Sequence, residues 1–300
     1  MTVRATMGIL RRFSAPRFPP ETGSPTMPLA RLGTCSWSLG PDNPADLVRL
    51  IHATGLDAVQ LGLSPVVTDL AGWATLVPRL IEADITLLSG MMAPIGEDYS
   101  TLETIAKTGG IRPDGTWSAN EAMARSIAVI AENGGIGMIT MHAGFIPESA
   151  ADPERAVMIG RLQTLADIFA GEGLCLALET GQESAEVLLG VLAEVDRERV
   201  GVNFDPANMV LYGAGDPIEA MEMLSPHIVQ VHLKDALASA REGRWGTETP
   251  LGQGDVDWNA FFQLARDLPR EVDAIIEREG GDNPVGEIRA GVDFVRTHLV

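Results

Sequence analysis

Short apolar runs alternate with longer amphipathic segments along most of the chain. The apolar runs are rich in Val, Ile, Leu and Ala and are bounded by glycine, proline or polar residues. This pattern is typical of strands that are buried on both faces of a parallel sheet. It predicts eight strands, at residues 31–36, 58–61, 85–91, 137–141, 175–179, 201–205, 228–232 and 274–277.

Helix signals separate these strands. Asp152-Pro153 and Asp216-Pro217 each place a capping side chain before a proline, which is typical of a helix start. A glycine such as Gly55 after the last periodic residue is typical of a helix end. The predicted helices occupy residues 44–52, 70–83, 119–133, 153–171, 184–195, 217 onward, 258–267 and 284–298. Pro78 interrupts the pattern of the second of them and could split it.

Eight strand–helix repeats in alternation predict an α/β fold, a (β/α)₈ TIM barrel, as a single domain over residues 29–300. Such a barrel takes about 250 residues. The rival arrangement, a doubly wound open sheet, is expected to carry a glycine-rich phosphate-binding turn after the first strand. The turn here reads Ser36-Trp37-Ser38-Leu39-Gly40, and neither G-x-G-x-x-G nor a P-loop occurs in the sequence.

Residues 1–28 differ in composition from the rest of the chain. Arginine and proline are frequent, and no acidic residue precedes Glu21. The segment is predicted to be a disordered N-terminal extension or to precede the true start of translation. Met27 would be a natural start just before the first strand.

Four of the predicted strands, the fifth to the eighth, end on residues that can bind a metal ion: Glu179, Asp205, His232 and Glu277. The carboxyl ends of barrel strands meet at one rim, where barrel enzymes carry their active sites. Two of the intervals between these residues match one strand–helix repeat, and the third leaves room for an inserted loop. Three carboxylates and one imidazole are a mainly hard donor set, which suits Mn²⁺ or Mg²⁺ better than a thiophilic metal.

Composition narrows the classes of partner. The 300 residues include 22 basic and 41 acidic side chains, for a net charge of −19. A protein that grips a phosphate backbone needs the opposite balance, so no nucleic-acid partner is expected. No apolar run approaches the length of a membrane span, so no membrane partner is expected either. Cys35 and Cys175 lie in predicted strands, which indicates buried thiols in a reducing compartment and a cytoplasmic location.

Five segments near the ends of the last four strands read Glu179-Thr180-Gly181, Asn203-Phe204-Asp205-Pro206-Ala207-Asn208, Val231-His232-Leu233-Lys234-Asp235, Pro250-Leu251-Gly252-Gln253-Gly254-Asp255-Val256-Asp257-Trp258 and Glu277. In this order they resemble the sugar phosphate isomerase/epimerase superfamily, the xylose isomerase-like TIM-barrel group, over roughly residues 30–300. The resemblance implies one divalent metal ion, usually Mn²⁺, with Mg²⁺ or Co²⁺ as alternatives. The implied ligands are Glu179, Asp205, His232 and Glu277.

The group includes ketose 3-epimerases, hydroxypyruvate isomerase, inosose dehydratase and endonuclease IV. Endonuclease IV binds three zinc ions through additional histidines, and His142 matches one of them. Asn208 stands where that family has another, and Gly252-Gln253-Gly254 replaces an Asp-x-His pair, so the nuclease activity is not expected. Asn208 also departs from the ketose 3-epimerases, in which a histidine contacts the substrate.

The resemblance implies a metal-dependent isomerase or epimerase of carbohydrate metabolism that acts on a sugar, polyol or ketose by proton transfer through a metal-stabilised enediolate. Glu179 and Glu277 are assigned the proton transfer as a hypothesis, because two carboxylates on opposite sides of a substrate can take and return a proton. Return to the opposite face gives epimerisation, and return to the neighbouring carbon gives isomerisation. A dehydratase of an inosose-type substrate and a non-catalytic sugar-binding barrel are the alternatives.

The other half of the rim is expected to contact the small-molecule sugar, whose identity and phosphorylation stay open. The predicted substrate-binding residues are His142, Asn208, Lys234, Trp37, Trp117 and Trp245. Asp235 is expected to orient His232 or Lys234. The long connections 93–118 and 233–257 both follow strands and are expected to be lids or binding loops. The resemblance also implies a homodimer or homotetramer.

Overall fold

The computed structural model of the chain describes residues 29–241 and 243–298. The predicted N-terminal extension, residues 1–28, lies outside the described residues. Within the described part, no helix combines the length and the apolar character that a membrane crossing requires.

Eight parallel strands form a closed barrel. They are β1 (Leu29–Cys35), β2 (Ala58–Gly62), β3 (Thr86–Met91), β4 (Met138–Met141), β5 (Cys175–Glu179), β6 (Val200–Phe204), β7 (Ile228–Leu233) and β10 (Val272–Ile276). Between β7 and β10, the strands β8 (Asp235–Leu237) and β9 (Thr247–Thr249) form a short antiparallel ribbon outside the barrel sheet. Because β1 pairs with β2 on one side and with β10 on the other, the sheet has no free edge. The predicted single-domain TIM barrel is confirmed.

Helices connect the strands and cover the outside of the barrel. They are α1 (Ser36–Leu39), α2 (Pro44–Thr54), α3 (Ser64–Thr68), α4 (Leu76–Glu82), α5 (Leu102–Thr108), α6 (Asp114–Gly134), α7 (Pro153–Gly171), α8 (Ala185–Val195), α9 (Pro206–Tyr212), α10 (Pro217–Leu224), a 3₁₀ turn (Ser225–His227), α11 (Trp258–Arg266) and α12 (Pro284–His298).

The predicted helix starts rest on real caps. The Asp152 carboxylate accepts a hydrogen bond from the Glu154 backbone N–H, and Pro153 fills the first position of α7. The Ser184 hydroxyl accepts from the Val187 backbone N–H at the start of α8. Such caps satisfy backbone donors that have no partner inside the helix, and each stabilises a helix by about 1 kcal/mol.

The helix predicted over residues 70–83, with Pro78 as the point where it could split, forms only over residues 76–82. The chain forms the short α3 before this stretch and then α4, which begins only at Leu76. Pro78 lacks an N–H, and its ring excludes the carbonyl four residues earlier, so a proline is tolerated only in the first turn of a helix. Pro78 occupies that turn in α4, which explains where this helix starts.

Polar side chains from five strands meet inside the barrel, below the carboxyl ends of the strands. The Gln60 amide donates to the Thr140 hydroxyl at 2.8 Å, and the Ser89 hydroxyl donates to the Gln230 amide oxygen at 2.6 Å. The Gln230 amide in turn donates to the Asn203 amide oxygen at 3.1 Å. All five side chains are fully buried. This inner polar layer supports the residues that lie above it at the rim.

Candidate metal-binding and catalytic site

Four neighbouring strands bring the predicted metal ligands together. Strands β5, β6, β7 and β10 are adjacent in the barrel, and each carries one ligand at or just before or after its carboxyl end. One donor atom from each ligand lies within 4.8 Å of a donor atom of every other, and all four residues are buried. The members of this metal-ligand group are Glu179, Asp205, His232 and Glu277. Metal binding itself stays a prediction.

One imidazole nitrogen faces all three carboxylates of the group. His232 Nδ1 lies 3.2 Å from Glu277 Oε2, 3.4 Å from Glu179 Oε1 and 3.8 Å from Asp205 Oδ2. These donor atoms therefore converge on one point, as a single ion requires, rather than forming separate pairs.

The donor set fits a hard divalent cation. Asp205 Oδ1 accepts the backbone N–H groups of Ala207 and Asn208 at the start of α9. Asp205 Oδ2 is buried and has no hydrogen-bond partner among the described residues. A buried carboxylate oxygen without a partner is costly, and a bound cation would satisfy it. Oxygen-rich ligation favours Mn²⁺ or Mg²⁺ over thiophilic metals.

The electrostatics of the metal-ligand group also favour a positive charge beside its carboxylates. Burial alone would raise the pKa of Glu277, but the charges of Lys234 and His232 outweigh it and hold that pKa well below its usual value. Burial raises the pKa of Asp205 to about 6. Burial alone would lower the pKa of His232, but Glu179 and Glu277 raise it well above its usual value. Three carboxylates this close stay ionised only beside cationic groups.

Asn208 and Lys234, both predicted substrate contacts, form a bridge between two ligands. The Asn208 amide donates to Glu179 Oε1 at 2.9 Å. Lys234 Nζ donates to Asn208 Oδ1 and to Glu277 Oε2, each at 3.2 Å, and to Glu279 Oε2 at 2.5 Å. Both residues thus lie at the metal-ligand group, and their contact with a substrate stays a prediction.

The three tryptophans predicted to wall the pocket lie in different surroundings. Trp37 Nε1 donates to Glu277 Oε1 at 2.6 Å, so this ring lies at the metal-ligand group. The Trp245 ring centroid lies 4.8 Å from that of Tyr212, and its buried Nε1 has no hydrogen-bond partner within the described ranges. Trp117 lies on α6, with the Arg161 guanidinium 5.3 Å from its ring centroid. A substrate contact for each stays a prediction.

His142 follows β4 and lies against the metal-ligand group. Its Nε2 is 3.4 Å from Glu179 Oε1, while its Nδ1 is buried and lacks a hydrogen-bond partner among the described residues. The Glu97 carboxylate acts on the imidazole from the loop after β3, and the His142 charge partly opposes the rise in the pKa of Glu183. Burial alone would lower the pKa of His142, but Glu179 and Glu97 raise it. An unsatisfied nitrogen here is suited to a substrate hydroxyl.

The stability of the chain should respond to the titration of Glu183. Burial raises the pKa of this carboxyl to about 8. Because the unfolded chain releases the proton at a lower pH, the stability that Glu183 contributes falls as the pH rises toward 8. Glu183→Gln removes this slope, which amounts to at most about 1.4 kcal/mol per pH unit. In urea titrations, the free energy of unfolding of the variant should therefore rise relative to that of the wild type as the pH increases from 5 to 8.

Glu186→Gln is the matched control for this titration. Glu186 lies on the same segment at the start of α8, and it is exposed. Its replacement should leave the pH dependence of stability nearly unchanged. A wild-type-like slope in Glu183→Gln would contradict the assignment of a buried, protonated Glu183.

Asp235 organises the loop after β7 rather than a metal ligand. Its Oδ2 accepts the Gly254 backbone N–H at 3.0 Å and the Trp258 indole N–H at 2.8 Å. The expectation that this carboxylate orients His232 or Lys234 is therefore wrong, because its oxygens are engaged by the loop. Because this hydrogen bond satisfies the indole N–H, Trp258 can be buried in the core at the start of α11.

Asp235→Ala should destabilise the fold markedly. The change leaves several buried N–H donors without an acceptor, at about 1–3 kcal/mol for each. Urea unfolding should report a loss of about 3 kcal/mol or more. Asp255→Ala is the control, because that carboxylate, in the same loop, accepts among the described residues only the Ala238 N–H, on the exposed side. Equal losses for the two variants would contradict a special role for Asp235.

Sequence reasoning missed several residues of this rim. The amide oxygen of Gln60, on β2, lies 2.7 Å from His232 Nε2, and Glu97, Glu183, Tyr212 and Glu279 all lie on segments that follow strands. A glutamine inside an otherwise apolar strand is a signal that could have identified Gln60. The loop residues carry no comparable signal, because polar side chains are common in any loop.

Comparisons with curated proteins find two partial relatives. The chain is 30% identical over 110 residues to the uncharacterized protein YihM of Escherichia coli, covering 36% of this chain and 33% of that protein. It is 27% identical over 129 residues to the 3-oxo-isoapionate decarboxylase of Pectobacterium atrosepticum, covering 42% of this chain and 46% of the relative. The matched part is therefore less than half the length of either relative.

Solved structures match over most of the barrel. A xylose isomerase domain protein from Planctomyces limnophilus is 31% identical, with a TM-score of 0.78 over 84% of this chain and 91% of that one. The probable 3-DHS dehydratase AsbF from Bacillus anthracis is 18% identical, with a TM-score of 0.69 over 89% and 98%. An L-ribulose 3-epimerase is 14% identical, with a TM-score of 0.68 over 90% and 95%. At these lower identities the likeness is one of fold.

A family model described as xylose isomerase-like TIM barrel matches residues 48–298, which include the whole metal-ligand group. This match agrees with the resemblance of the strand-end motifs and with the closed barrel. The chain therefore belongs to the xylose isomerase-like TIM barrel family.

Proposed function

We propose that the protein is a divalent-cation-dependent isomerase or epimerase of a sugar, polyol or ketose, with Mn²⁺ as the preferred ion. One observation carries the proposal. Glu179 and Glu277 stand at the two ends of the arc of strands β5, β6, β7 and β10, with Asp205 and His232 between them. Two carboxylates thus approach a common point from different sides, as proton removal and return require.

The roles divide between the ion and the protein. A divalent cation held by the metal-ligand group would polarise a substrate carbonyl and stabilise negative charge on its oxygen. Glu179 and Glu277 take and return the proton on the carbon beside that carbonyl. Asn208 holds the Glu179 carboxylate and Lys234 holds that of Glu277, so both carboxylates are oriented before substrate binds.

Other residues of the rim support binding of a polyhydroxylated substrate. His142 Nδ1 and Trp245 Nε1, which have no hydrogen-bond partner in the described part of the chain, can bond to hydroxyl groups. Trp37 and the aromatic side chains around Trp245 offer apolar faces for the carbon skeleton. We also propose Trp117, on α6, as a substrate contact.

Dehydration is the second candidate reaction at the same site. It needs an acid that protonates the departing hydroxyl after the proton on carbon is removed. Lys234 favours it, because this buried ammonium lies 3.2 Å from Glu277, one of the proposed proton-transfer carboxylates. The likeness in fold to a probable dehydratase agrees with this candidate.

Incubation with a panel of substrates in D₂O and Mn²⁺ tests both candidates. The panel should hold ketoses, aldoses, inososes and, because of the decarboxylase relative, a 3-oxo sugar acid. Deuterium in an epimer or isomer supports the leading proposal, and its position identifies the carbon. Loss of water from the product supports the dehydratase. An absence of exchange on every compound would count against proton-transfer chemistry and in favour of a sugar-binding barrel.

Bound-metal analysis separates the remaining classes. One Mn²⁺-like ion for each chain supports the sugar enzyme, whereas three zinc ions would support a nuclease and no ion would support a binder. We further propose a small-molecule sugar as the partner, a homodimer or homotetramer as the assembly, and the cytoplasm as the location. The burial of Cys35 and Cys175 suits a reducing compartment.

A further inference from the structure

A buried glutamine lies directly behind the histidine of the metal-ligand group. Gln60, on β2, is fully buried, and its amide oxygen lies 2.7 Å from His232 Nε2. His232 is on β7, across the barrel from β2, so the contact spans the barrel interior. It joins the inner polar layer to the rim.

The two nitrogens of the His232 ring face different partners. Nδ1 points at the three carboxylates of the metal-ligand group, at 3.2–3.8 Å, and Nε2 points at Gln60. A neutral imidazole has one N–H and one lone pair. Only the form with its proton on Nε2 directs a lone pair at the point where the carboxylates converge.

The orientation of the Gln60 amide is set by its other neighbours. The Thr140 hydroxyl donates toward the sulfur of Met91 at 2.8 Å, so it accepts from the Gln60 NH₂ group. The Cys35 thiol donates to the Gln60 oxygen at 3.7 Å. Both contacts turn the NH₂ group toward Thr140 and the carbonyl oxygen toward His232. That oxygen is an acceptor only, and it therefore requires a proton on Nε2.

We propose that Gln60 is a positioning residue that holds the proton of His232 on Nε2 and so keeps Nδ1 available to a divalent cation. The proposal rests on the cation site of the proposed function. Partners that fix the ring orientation and tautomer of a ligating histidine typically change metal affinity about 10–100-fold when they are removed. Neither the strand pattern nor the family match assigns this role to Gln60.

Mn²⁺ titrations followed by the electron paramagnetic resonance of the free ion test the effect on affinity. Gln60→Met, which fills similar space but offers only a weakly accepting sulfur to Nε2–H, should weaken binding about 10–100-fold. Gln60→Glu keeps an acceptor oxygen and should restore affinity to within a few-fold. Thr54→Val is the control. It removes a buried hydroxyl at the end of α2 whose hydrogen-bond partners within the described ranges, Ile51 and Leu56, are its neighbours in the chain, and it should bind like the wild type.

A second measurement needs no metal. In ¹⁵N-histidine-labelled protein, at a pH where the ring is neutral, NMR should find the His232 proton on Nε2 in the wild type. In Gln60→Met the proton should move to Nδ1, where Glu277 is the remaining acceptor. Wild-type Mn²⁺ affinity in Gln60→Met, or an Nδ1–H form in the wild type, would overturn the role of Gln60. Failure of the wild type to bind Mn²⁺ would instead overturn the proposed cation site.

Discussion

Glu277→Gln is expected to lower turnover by about 10²–10⁴-fold, the usual contribution of a positioned acid or base. A glutamine can still accept the Trp37 indole N–H on its oxygen. Its NH₂ group, however, would face the Lys234 ammonium in place of a carboxylate oxygen. The variant therefore loses a base and a cation ligand while it keeps the size of the side chain.

Deuterium exchange on the best substrate of the panel measures this loss. Asp273→Asn is the matched control, since Asp273 lies on β10 near the opposite end of the same strand. The control should exchange at nearly the wild-type rate. Circular dichroism should show that both variants keep the barrel. Near-normal exchange by Glu277→Gln would remove Glu277 from the mechanism, whichever reaction the panel identifies.

Asp205→Asn is expected to separate the stability of the fold from the binding of the cation. An asparagine oxygen can replace Asp205 Oδ1 as the cap of α9, because Asn and Asp cap helices about equally well. Without added metal, the free energy of unfolding should therefore stay within about 1 kcal/mol of the wild type. Affinity for Mn²⁺ should fall by more than about 100-fold, because a ligand is lost rather than a supporting residue.

Thermal unfolding with and without Mn²⁺ measures both the stability of the fold and the stabilisation by the bound cation. Free Mn²⁺ at 100 times its dissociation constant stabilises the wild type by about 2.7 kcal/mol, and a chelator should reverse the gain. At the same concentration Asp205→Asn should gain almost nothing. Asp216→Asn is the control, because Asp216 caps α10 in the same way but lies outside the metal-ligand group. An equal Mn²⁺ response in Asp205→Asn would contradict the cation site.

The fold was predictable because its signals are local. Buried parallel strands are mostly apolar, so the eight runs are visible in the sequence, and caps such as Ser184 and Asp152 mark helix starts within a few residues. Errors arose where two local signals compete. Residues 70–83 have a helical pattern, but Pro78 confines the helix to α4.

The metal-ligand group was predictable for a related reason. A charged residue at the end of an apolar run is unusual, and the barrel closes all strand ends onto one rim. The prediction for Asp235 failed because its partners, Gly254 and Trp258, belong to a loop whose path no local pattern determines. Trp117 and Trp245 looked alike in the sequence, yet one lies against Arg161 and the other beside Tyr212.

The sequence alone determined the barrel, its order of strands and helices, and the four residues that meet at the rim. These follow from hydrophobic periodicity and from the geometry of parallel strands. Only the tertiary structure decided which nitrogen of His232 faces the carboxylates, that Asn208 and Lys234 bridge Glu179 and Glu277, and that Gln60 supports the histidine. Such contacts join side chains far apart in the chain, and their distances and directions depend on how the closed barrel packs.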